Sequence, residues 1–165
     1  MVCKEVLGNI RDFDCRDRLM DYLCLEWYET SKRILRKRTN GNDDMIIKML
    51  KEGNRLCEGD VLFEDEEKIV AVFILPCDAI EVTPRTMLEI GTICYEIGNR
   101  HLPLFIQDDR ILVPYERPLE QLLTVTGYQV RKTHCKLLHM LKANVAPHGH
   151  RTGGSLLSKI LDLTN

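Results

Sequence analysis

The chain has 165 residues, of which 44% are hydrophobic and 29% are charged, and its formal net charge is -2. This composition is typical of one or two globular domains and excludes a disordered or low-complexity chain. Because 23 basic residues are balanced by 25 acidic ones, no global positive field draws the molecule to nucleic acid or anionic lipid. The longest apolar run, Ile69 to Leu75, is too short to span a bilayer, so we expect a cytoplasmic protein with no membrane partner.

The cysteines predict reduced thiols with mostly structural roles. There are seven of them, an odd number, and none forms a C-x-x-C pair. Neither a disulfide framework nor a thiolate zinc site is therefore indicated.

Residues 1–76 are predicted to form a small antiparallel β domain. Apolar and polar residues alternate in three segments, 22–28, 33–38 and 45–50. Turn signals separate them at 39–42 and 52–54. Gly59-Asp60 and the acidic turn 64–67 predict a further hairpin that returns through 69–75, and 76–78 is the expected joint between the two halves.

Residues 77–143 begin with an extended segment and a helix. Ala79 to Val82 is predicted to be extended, and Thr83 is the predicted N-cap, with Pro84 in the first turn. Gly98-Asn99 supplies the expected left-handed end. The predicted apolar face of this helix consists of Met87, Ile90, Cys94 and Ile97.

The rest of this half predicts a hairpin, a second helix and a last strand. Segments 104–107 and 111–115 flank a turn at Asp108-Asp109-Arg110, and the helix runs from Arg117-Pro118 to Gly127. The last strand is predicted in 128–137. The order β-α-β-β-α-β is typical of the ferredoxin-like fold, in which two helices pack on one face of a sheet. The predicted fold class is therefore α+β, and residues 144–165 are expected to be a flexible tail with one marginal short helix.

Histidine is scarce, and two of the five histidines lie two residues apart at His148 and His150. In an extended segment both imidazoles face the same side and can bind one metal ion, although a solvated tail without a role fits the pattern equally well. His101, after the first helix, is the candidate third ligand, and its alternative is a hydrogen-bonded residue at a helix end. A two-fold axis near His101 would supply two imidazoles, one from each protomer.

Other candidate residues carry weaker signals. His134 and His139 are five apart, so they lie on different sides of a strand or a helix. The basic run 32–38 fits a solvated strand or a docking surface for an acidic partner. No P-loop, dinucleotide, zinc-protease or hydrolase-elbow motif occurs in the chain.

The segment 94–106 contains G-N-R-H-x-P at Gly98 to Pro103, and Asp109-Arg110-Ile111-Leu112 and His148-Gly149-His150 follow it. Together these residues resemble the UreE family of urease accessory proteins. The resemblance implies a homodimeric nickel metallochaperone that is not an enzyme, with a peptide-binding-like N-terminal domain and a ferredoxin-like metal-binding domain. By this resemblance, His101 of both protomers would hold one nickel ion, His148 and His150 would supplement it, and nickel would pass through the urease accessory GTPase to apo-urease.

The chain departs from the family pattern at two places. Its tail carries only two histidines, which predicts low metal stoichiometry, and 113–117 lacks the additional histidine pair of some members. Zinc and copper remain alternative ions because imidazole also binds them. Since imidazole must be neutral to bind a metal, we expect affinity to fall as the pH drops from about 7.5 to 5.5.

Two other classes of function remain open from the sequence. The first is a ferredoxin-like protein- or RNA-interaction module with no metal role, which would use the sheet and the basic run. The net negative charge and the lack of an aromatic RNA-binding string argue against a nucleic-acid partner. The second is a metal-dependent hydrolase, which the absence of a carboxylate base next to His101 in the sequence makes less favourable.

Overall fold

The computed structural model describes residues 1–49 and 55–141. These residues form eleven strands in three sheets, two α-helices, and two short 3-10 helices, Ile10–Asp12 and Glu29–Ser31. The first seven strands are β1 (Val2–Cys3), β2 (Gly8–Asn9), β3 (Leu19–Leu25), β4 (Ile34–Arg38), β5 (Asp44–Lys48), β6 (Asp60–Glu64) and β7 (Lys68–Ile74). They build a three-stranded sheet of order β1-β5-β4 and a four-stranded sheet of order β2-β6-β7-β3.

The pairing of these strands differs in part from the expected antiparallel domain. The β4–β5 and β6–β7 hairpins are antiparallel, as predicted. In contrast, β3 lies parallel to β7 along its whole length, and β1 lies parallel to β5. The all-antiparallel expectation is therefore wrong, because alternation tells which side chains are buried but not the direction of a distant partner strand.

The two N-terminal sheets share one apolar core and one buried ion pair. Asp21 of β3 lies 2.7 Å from Lys68 Nζ, and its Oδ1 accepts a hydrogen bond from the Gly41 N–H at 2.8 Å. Burial by itself would raise the pKa of Asp21, but the hydrogen bonds from Lys68 and from backbone N–H groups outweigh it and lower this pKa to about 2. A Cβ on Gly41 would lie 2.7 Å from Asp21 Oδ2, so glycine is required for this contact between the sheets.

The remaining elements form the third sheet and its helices. They are β8 (Cys77–Val82), α1 (Met87–Asn99), β9 (Phe105–Gln107), β10 (Arg110–Pro114), α2 (Arg117–Val125) and β11 (Val130–Cys135). The strand order is β11-β8-β10-β9, and every pair is antiparallel. This confirms the predicted β-α-β-β-α-β order and the α+β class.

Helix α1 begins later than predicted. The N–H of Thr83, directly after β8, donates to the Gln129 carbonyl at 3.1 Å, so Thr83 continues the pairing of the sheet and does not cap the helix. The cap is Thr86, whose hydroxyl accepts a hydrogen bond from the Glu89 N–H at 3.1 Å. Threonine is well suited to this position because its oxygen satisfies one of the free N–H groups of the first turn.

The apolar face of α1 is also displaced from the prediction. Ile93 and Ile97 are buried against the sheet, whereas Met87, which was assigned to the core face, is 80% exposed. Cys94 is half-buried beside them. The helix carries two apolar stripes, so the period of 3.6 residues alone does not decide which stripe faces the core.

The N-terminal sheets contact the open face of the third sheet. The ring of Trp27 packs edge-on against Phe105, with 5.7 Å between centroids. Arg55 lies over the same Phe105 ring and donates to the Trp27 carbonyl at 2.8 Å. Lys136 pairs with Glu58 at 2.7 Å. These contacts join the third sheet to the N-terminal half of the chain, and the end of α1 lines a groove that also includes Trp27.

Some expectations fall beyond these observations. The boundary between residues 76 and 77 and the limit at 143 stay predictions. The predicted tail 144–165, including His148 and His150, lies outside the described residues, and so does the turn predicted at 52–54. Neither helix in the described part of the chain is long and apolar enough to cross a membrane.

Candidate metal centre

His101 occupies the turn that ends α1. The N–H of His101 donates to the Gly98 carbonyl at 2.9 Å, and the N–H of Leu102 donates to the Ile97 carbonyl at 3.4 Å. These two bonds define a Schellman motif, in which the residue directly after the C-cap takes a left-handed conformation. That residue is His101, with φ 56°, and not Gly98 or Asn99 as predicted.

The left-handed backbone of His101 is a departure from ordinary helix ends. A residue with a Cβ pays about 1 kcal/mol or more in this conformation, and glycine is the usual choice. The imidazole is exposed, so burial of the ring does not offset this cost. Strained residues of this kind concentrate at functional sites, and the fold gains nothing evident from histidine here.

His101 lies at the rim of an open groove of about 500 Å³ between the two halves of the chain. The lining residues are Trp27, Cys94, Gly98, His101, Leu102, Pro103, Leu104, Met140 and Leu141. Burial raises the pKa of the Cys94 thiol, which keeps it protonated and makes it a poor metal ligand. Among these lining residues the imidazole of His101 is thus the best metal ligand.

One protomer does not hold a complete site within residues 1–49 and 55–141. No three side chains of His, Cys, Asp or Glu in this part of the chain are grouped closely enough to hold a metal ion. Protein metal sites for borderline cations take three or four ligands. A metal site at His101 would therefore need ligands from a second protomer or from residues outside the described ranges.

The structure places the other two described histidines, His134 and His139, apart from this groove. His134, on β11, lies 2.9 Å from Asp78 through its Nδ1 atom. The main-chain carbonyl of His139 accepts a hydrogen bond from the Ile106 N–H at 3.0 Å, and it is Met140, the next residue, that lines the groove. Neither histidine is among the groove residues.

A second feature of α1 was missed by the sequence reasoning. Leu88 is 80% exposed and Tyr95 is 70% exposed, and together with Met87 they form an apolar outer face. Gly91 lies between them, and a Cβ at Gly91 would meet nothing within 4 Å. The spacing of 88, 91 and 95 is a second helical stripe, and it was the signal that could have revealed this face. The stripe runs along α1 toward the turn that holds His101.

Comparisons with known proteins agree with this architecture. Residues 3–75 match the family model of the UreE urease accessory protein N-terminal domain, and residues 78–154 match that of its C-terminal domain. A urease accessory protein UreE of Flavobacterium johnsoniae is 45% identical over 163 residues, which cover 99% of both chains.

Two further relatives carry the same name. The UreE protein of Acetivibrio thermocellus is 41% identical over 150 residues, covering 91% of this chain and 97% of the relative. That of Helicobacter pylori is 38% identical over 141 residues, covering 83% and 82%. The chain therefore belongs to the UreE family of urease accessory proteins.

Proposed function

We propose that this chain is a homodimeric nickel carrier for urease assembly, in which the His101 side chains of two protomers bind one nickel ion between them. The observation that carries the proposal is the position of His101. Its exposed imidazole lies in a strained turn at the end of an apolar helix face that nothing in the described part of the chain covers. Membership of a urease accessory family supports the direction of delivery.

The outer face of α1 supports a two-fold interface. Single exposed apolar residues are common on protein surfaces, but Met87, Leu88 and Tyr95 form a contiguous stripe on one helix. A two-fold axis makes the same patch contact itself, so residues near the axis come in pairs. An axis near the C-terminal end of α1 would bring the two His101 side chains together.

The chain beyond Leu141 supports additional ligands. Leu141 lines the same groove as His101. His148 follows Leu141 by seven residues and His150 by nine. Seven residues span up to about 23 Å when extended, which is sufficient to cross a groove of this size. We therefore assign His148 and His150 as supplementary ligands to the pair of His101 imidazoles.

The proposed ligand set suits a cargo ion that must be released. Imidazole binds nickel, zinc and copper, and a shell of imidazoles without thiolates releases its ion more readily than a closed thiolate cage. The residues alone select a borderline divalent cation, with zinc or copper as alternatives, and the urease accessory family selects nickel. The recipients would be the urease accessory GTPase and apo-urease, and the carrier itself performs no catalysis.

Titration with nickel in a calorimeter, with the mass followed by light scattering, tests this proposal. We expect a dimer that binds about one tightly held nickel ion. The variant His101→Ala abolishes this site, and the double variant His148→Ala with His150→Ala weakens it. His134→Ala, on β11, is the matched control and leaves binding unchanged. A monomer, or tight binding that survives His101→Ala, would overturn the assignment.

A further inference from the structure

The edges of the three sheets are not equally covered. At the edge strand β3, the N–H of Asn40 donates to the Tyr22 carbonyl at 2.9 Å, so part of this edge is covered. At β9, the N–H of Ile106 donates to the His139 carbonyl at 3.0 Å, so the segment after β11 covers that edge. In contrast, β4 ends the three-stranded sheet, and no strand among residues 1–49 and 55–141 pairs with its far side.

The register of the β4–β5 hairpin shows which main-chain groups face that free side. At one end the Met49 N–H donates to the Arg33 carbonyl at 2.8 Å, and at the other the Thr39 N–H donates to the Asp43 carbonyl at 3.0 Å. Because hydrogen-bonded pairs alternate along an antiparallel ladder, Leu35 and Lys37 also pair with β5. The N–H and C=O groups of the residues between them point away from β5. These residues are Ile34, Arg36 and Arg38.

The side chains along β4 give this edge two different surfaces. On the outer face, Ile34 is 74% exposed, and Arg36 and Arg38 are both exposed beside it. The two guanidinium groups share one carboxylate, Asp44, at 3.3 and 3.5 Å. On the inner face, Leu35 packs only partly against the N-terminal core. Lys37 lies on this inner face too, but it is paired with Glu29 at 2.6 Å. An added strand would thus meet two exposed arginines on one face and, on the other, Leu35 beside a lysine that already has a carboxylate partner.

The charges on β4 decide between possible occupants. A second copy of β4 would place arginine against arginine, which is destabilising directly across a strand pair. Charged residues often protect an edge from pairing, but a large exposed aliphatic residue such as Ile34 does not. The edge therefore disfavours self-pairing and favours a strand with carboxylates.

Another edge strand, β11, lacks this combination of features. Its outward residues Lys132 and His134 both contact Asp78, at 2.8 and 2.9 Å. Lys132 also lies 4.2 Å from the centroid of the Tyr115 ring. The two cations of β11 each have a close carboxylate partner, whereas the two arginines of β4 share one carboxylate at longer distances. Arg38 also donates to the neutral side-chain oxygen of Asn42 at 3.0 Å, which does not balance its charge.

We propose that β4 binds an extended acidic segment of a partner protein as an additional strand. Acidic side chains of this segment would face Arg36 and Arg38, and alternate aliphatic side chains would cover Leu35. The free main-chain groups of Ile34, Arg36 and Arg38 would supply the hydrogen bonds, as in other cases of strand addition. This docking surface belongs to the N-terminal sheets and does not depend on the metal centre.

The probe is a fluorescein-labelled peptide of about eight residues, a typical strand length, in which glutamate and valine alternate. We expect saturable binding by anisotropy that weakens as salt is raised, because exposed charge pairs are screened. A peptide with lysine for glutamate does not bind. A second control peptide has proline at one position whose N–H would point toward β4. It binds at least roughly tenfold more weakly, because proline lacks this main-chain donor.

Variants of the protein test the same surface. Arg36→Gln with Arg38→Gln weakens binding of the acidic peptide by roughly tenfold or more, because two cross-strand charge pairs are lost. Arg11→Gln with Arg16→Gln removes two exposed arginines elsewhere in the N-terminal half and leaves binding unchanged. Unchanged nickel stoichiometry and thermal unfolding of both variants exclude a folding defect.

Three results would overturn the proposal. The first is equal binding of the peptide by wild type and the β4 double variant. The second is equal binding of the proline-containing peptide, since that would show attraction without strand pairing. The third is tight binding of a single-stranded oligonucleotide without binding of the acidic peptide, which would assign the basic strand to nucleic acid.

Discussion

The two helices of the C-terminal half lie on the same sheet but follow different rules. In α2, Leu119 and Leu123 are buried, and the outer face is mostly polar. This helix is followed by Gly127, with φ 85°. In α1 both faces carry apolar residues, and its left-handed end residue is His101. The exposed apolar face lowers the solubility of an isolated protomer, and the left-handed histidine lowers its stability.

This difference indicates that the residues of α2 serve the fold of one protomer, whereas those of α1 also suit contact with a second molecule. Local choices in a natural sequence normally agree with the global fold, and exceptions mark functional positions. The two exceptions in α1 are adjacent, because the apolar stripe from Leu88 leads to the turn at His101. They are explained together if a second protomer packs on α1 and both protomers contribute His101 to one site.

The largest effect is expected from a charge on the outer face of α1. Leu88→Asp would place a carboxylate in the proposed apolar interface, so we expect the molecular mass to halve and nickel affinity to fall by about 100-fold or more. Thermal unfolding of the separated protomer should hardly change, since Leu88 is exposed within one chain.

Val125→Asp is the matched control on α2, because Val125 is 86% exposed. It should leave both the mass in light scattering and the nickel titration unchanged. Equal behaviour of the two variants would remove the distinction between the helices.

Acid should destabilise the N-terminal half, which contains Asp21, more than the two helices of the C-terminal half. The pKa of Asp21 is lowered to about 2 in the folded state, so its ionised form stabilises the fold above the ordinary aspartate pKa of about 3.9. This stabilisation, about 2 kcal/mol, is lost as the pH falls from about 4 to 2. Trp27 fluorescence should therefore report a lower denaturant midpoint at pH 2.5 than at pH 5, with a smaller change in the helical circular-dichroism signal.

Asp21→Asn checks the origin of this acid effect. At pH 5 the variant should already be destabilised by about 2 kcal/mol, because Lys68 loses its buried partner. Its midpoint should then respond little to acid. A wild-type midpoint that is unchanged between pH 5 and pH 2.5 would contradict the role of Asp21.

Replacing the left-handed residue after each helix compares the two helix ends directly. These residues are His101 after α1 and Gly127 after α2. His101→Gly should raise the free energy of unfolding by about 1 kcal/mol, and Gly127→Ala should lower it by a similar amount. A Cβ on Gly127 meets nothing within 4 Å, so its effect would come from the backbone alone. Urea denaturation of both variants, with nickel titration beside it, should show that the more stable His101→Gly protein has lost its metal. A loss of stability in His101→Gly would mean that the imidazole contributes to the fold after all.

The smallest effect is expected at the starts of the helices. Thr86→Ala removes the hydroxyl that accepts the Glu89 N–H and should cost about 1 kcal/mol or less. Glu116, the N-cap residue of α2, makes no capping hydrogen bond with its side chain. Glu116→Ala should therefore leave the urea midpoint nearly unchanged, and similar losses in both variants would contradict the assigned caps.

Elements with strong local signals were predictable from the sequence. Asp108 and Asp109 both adopt positive φ values, as a two-residue turn of the primed type requires, and the predicted hairpin lies around them. Helix α2 begins at Arg117 with proline in its first turn and is followed by Gly127, as expected. In each case the residues that decide the conformation are neighbours in the chain.

Features that depend on distant contacts were not predictable. The parallel pairing of β3 with β7 joins strands that are separated in sequence by β4, β5 and β6. Thr83 fits the local pattern of a helix cap, but its N–H pairs with Gln129 just beyond the end of β8. Local pattern carries no information on either contact, because the partner lies far away in sequence.

The sequence predicted the candidate ligands but not the geometry around them, and the metal-binding role of His101 stays a prediction. The G-N-R-H-x-P string identified His101, but not that its backbone is left-handed or that an exposed apolar stripe leads to it. Both features become visible only when the faces of α1 are assigned by packing. The participation of His148 and His150 stays a prediction, because they lie outside the described residues.

The pairing of β3 with β7 also has a consequence for the order of folding during synthesis. β3 is made early, yet its neighbour in the sheet, Lys68–Ile74, emerges only after both strands of the β4–β5 hairpin. Pairings between distant segments form slowly, and unpaired strands are prone to aggregation while they wait. We expect the β4–β5 hairpin to form first on the ribosome and β3 to remain unpaired until β7 has been released. A pause in translation between these strands would therefore prolong the time during which β3 is unpaired and prone to aggregation.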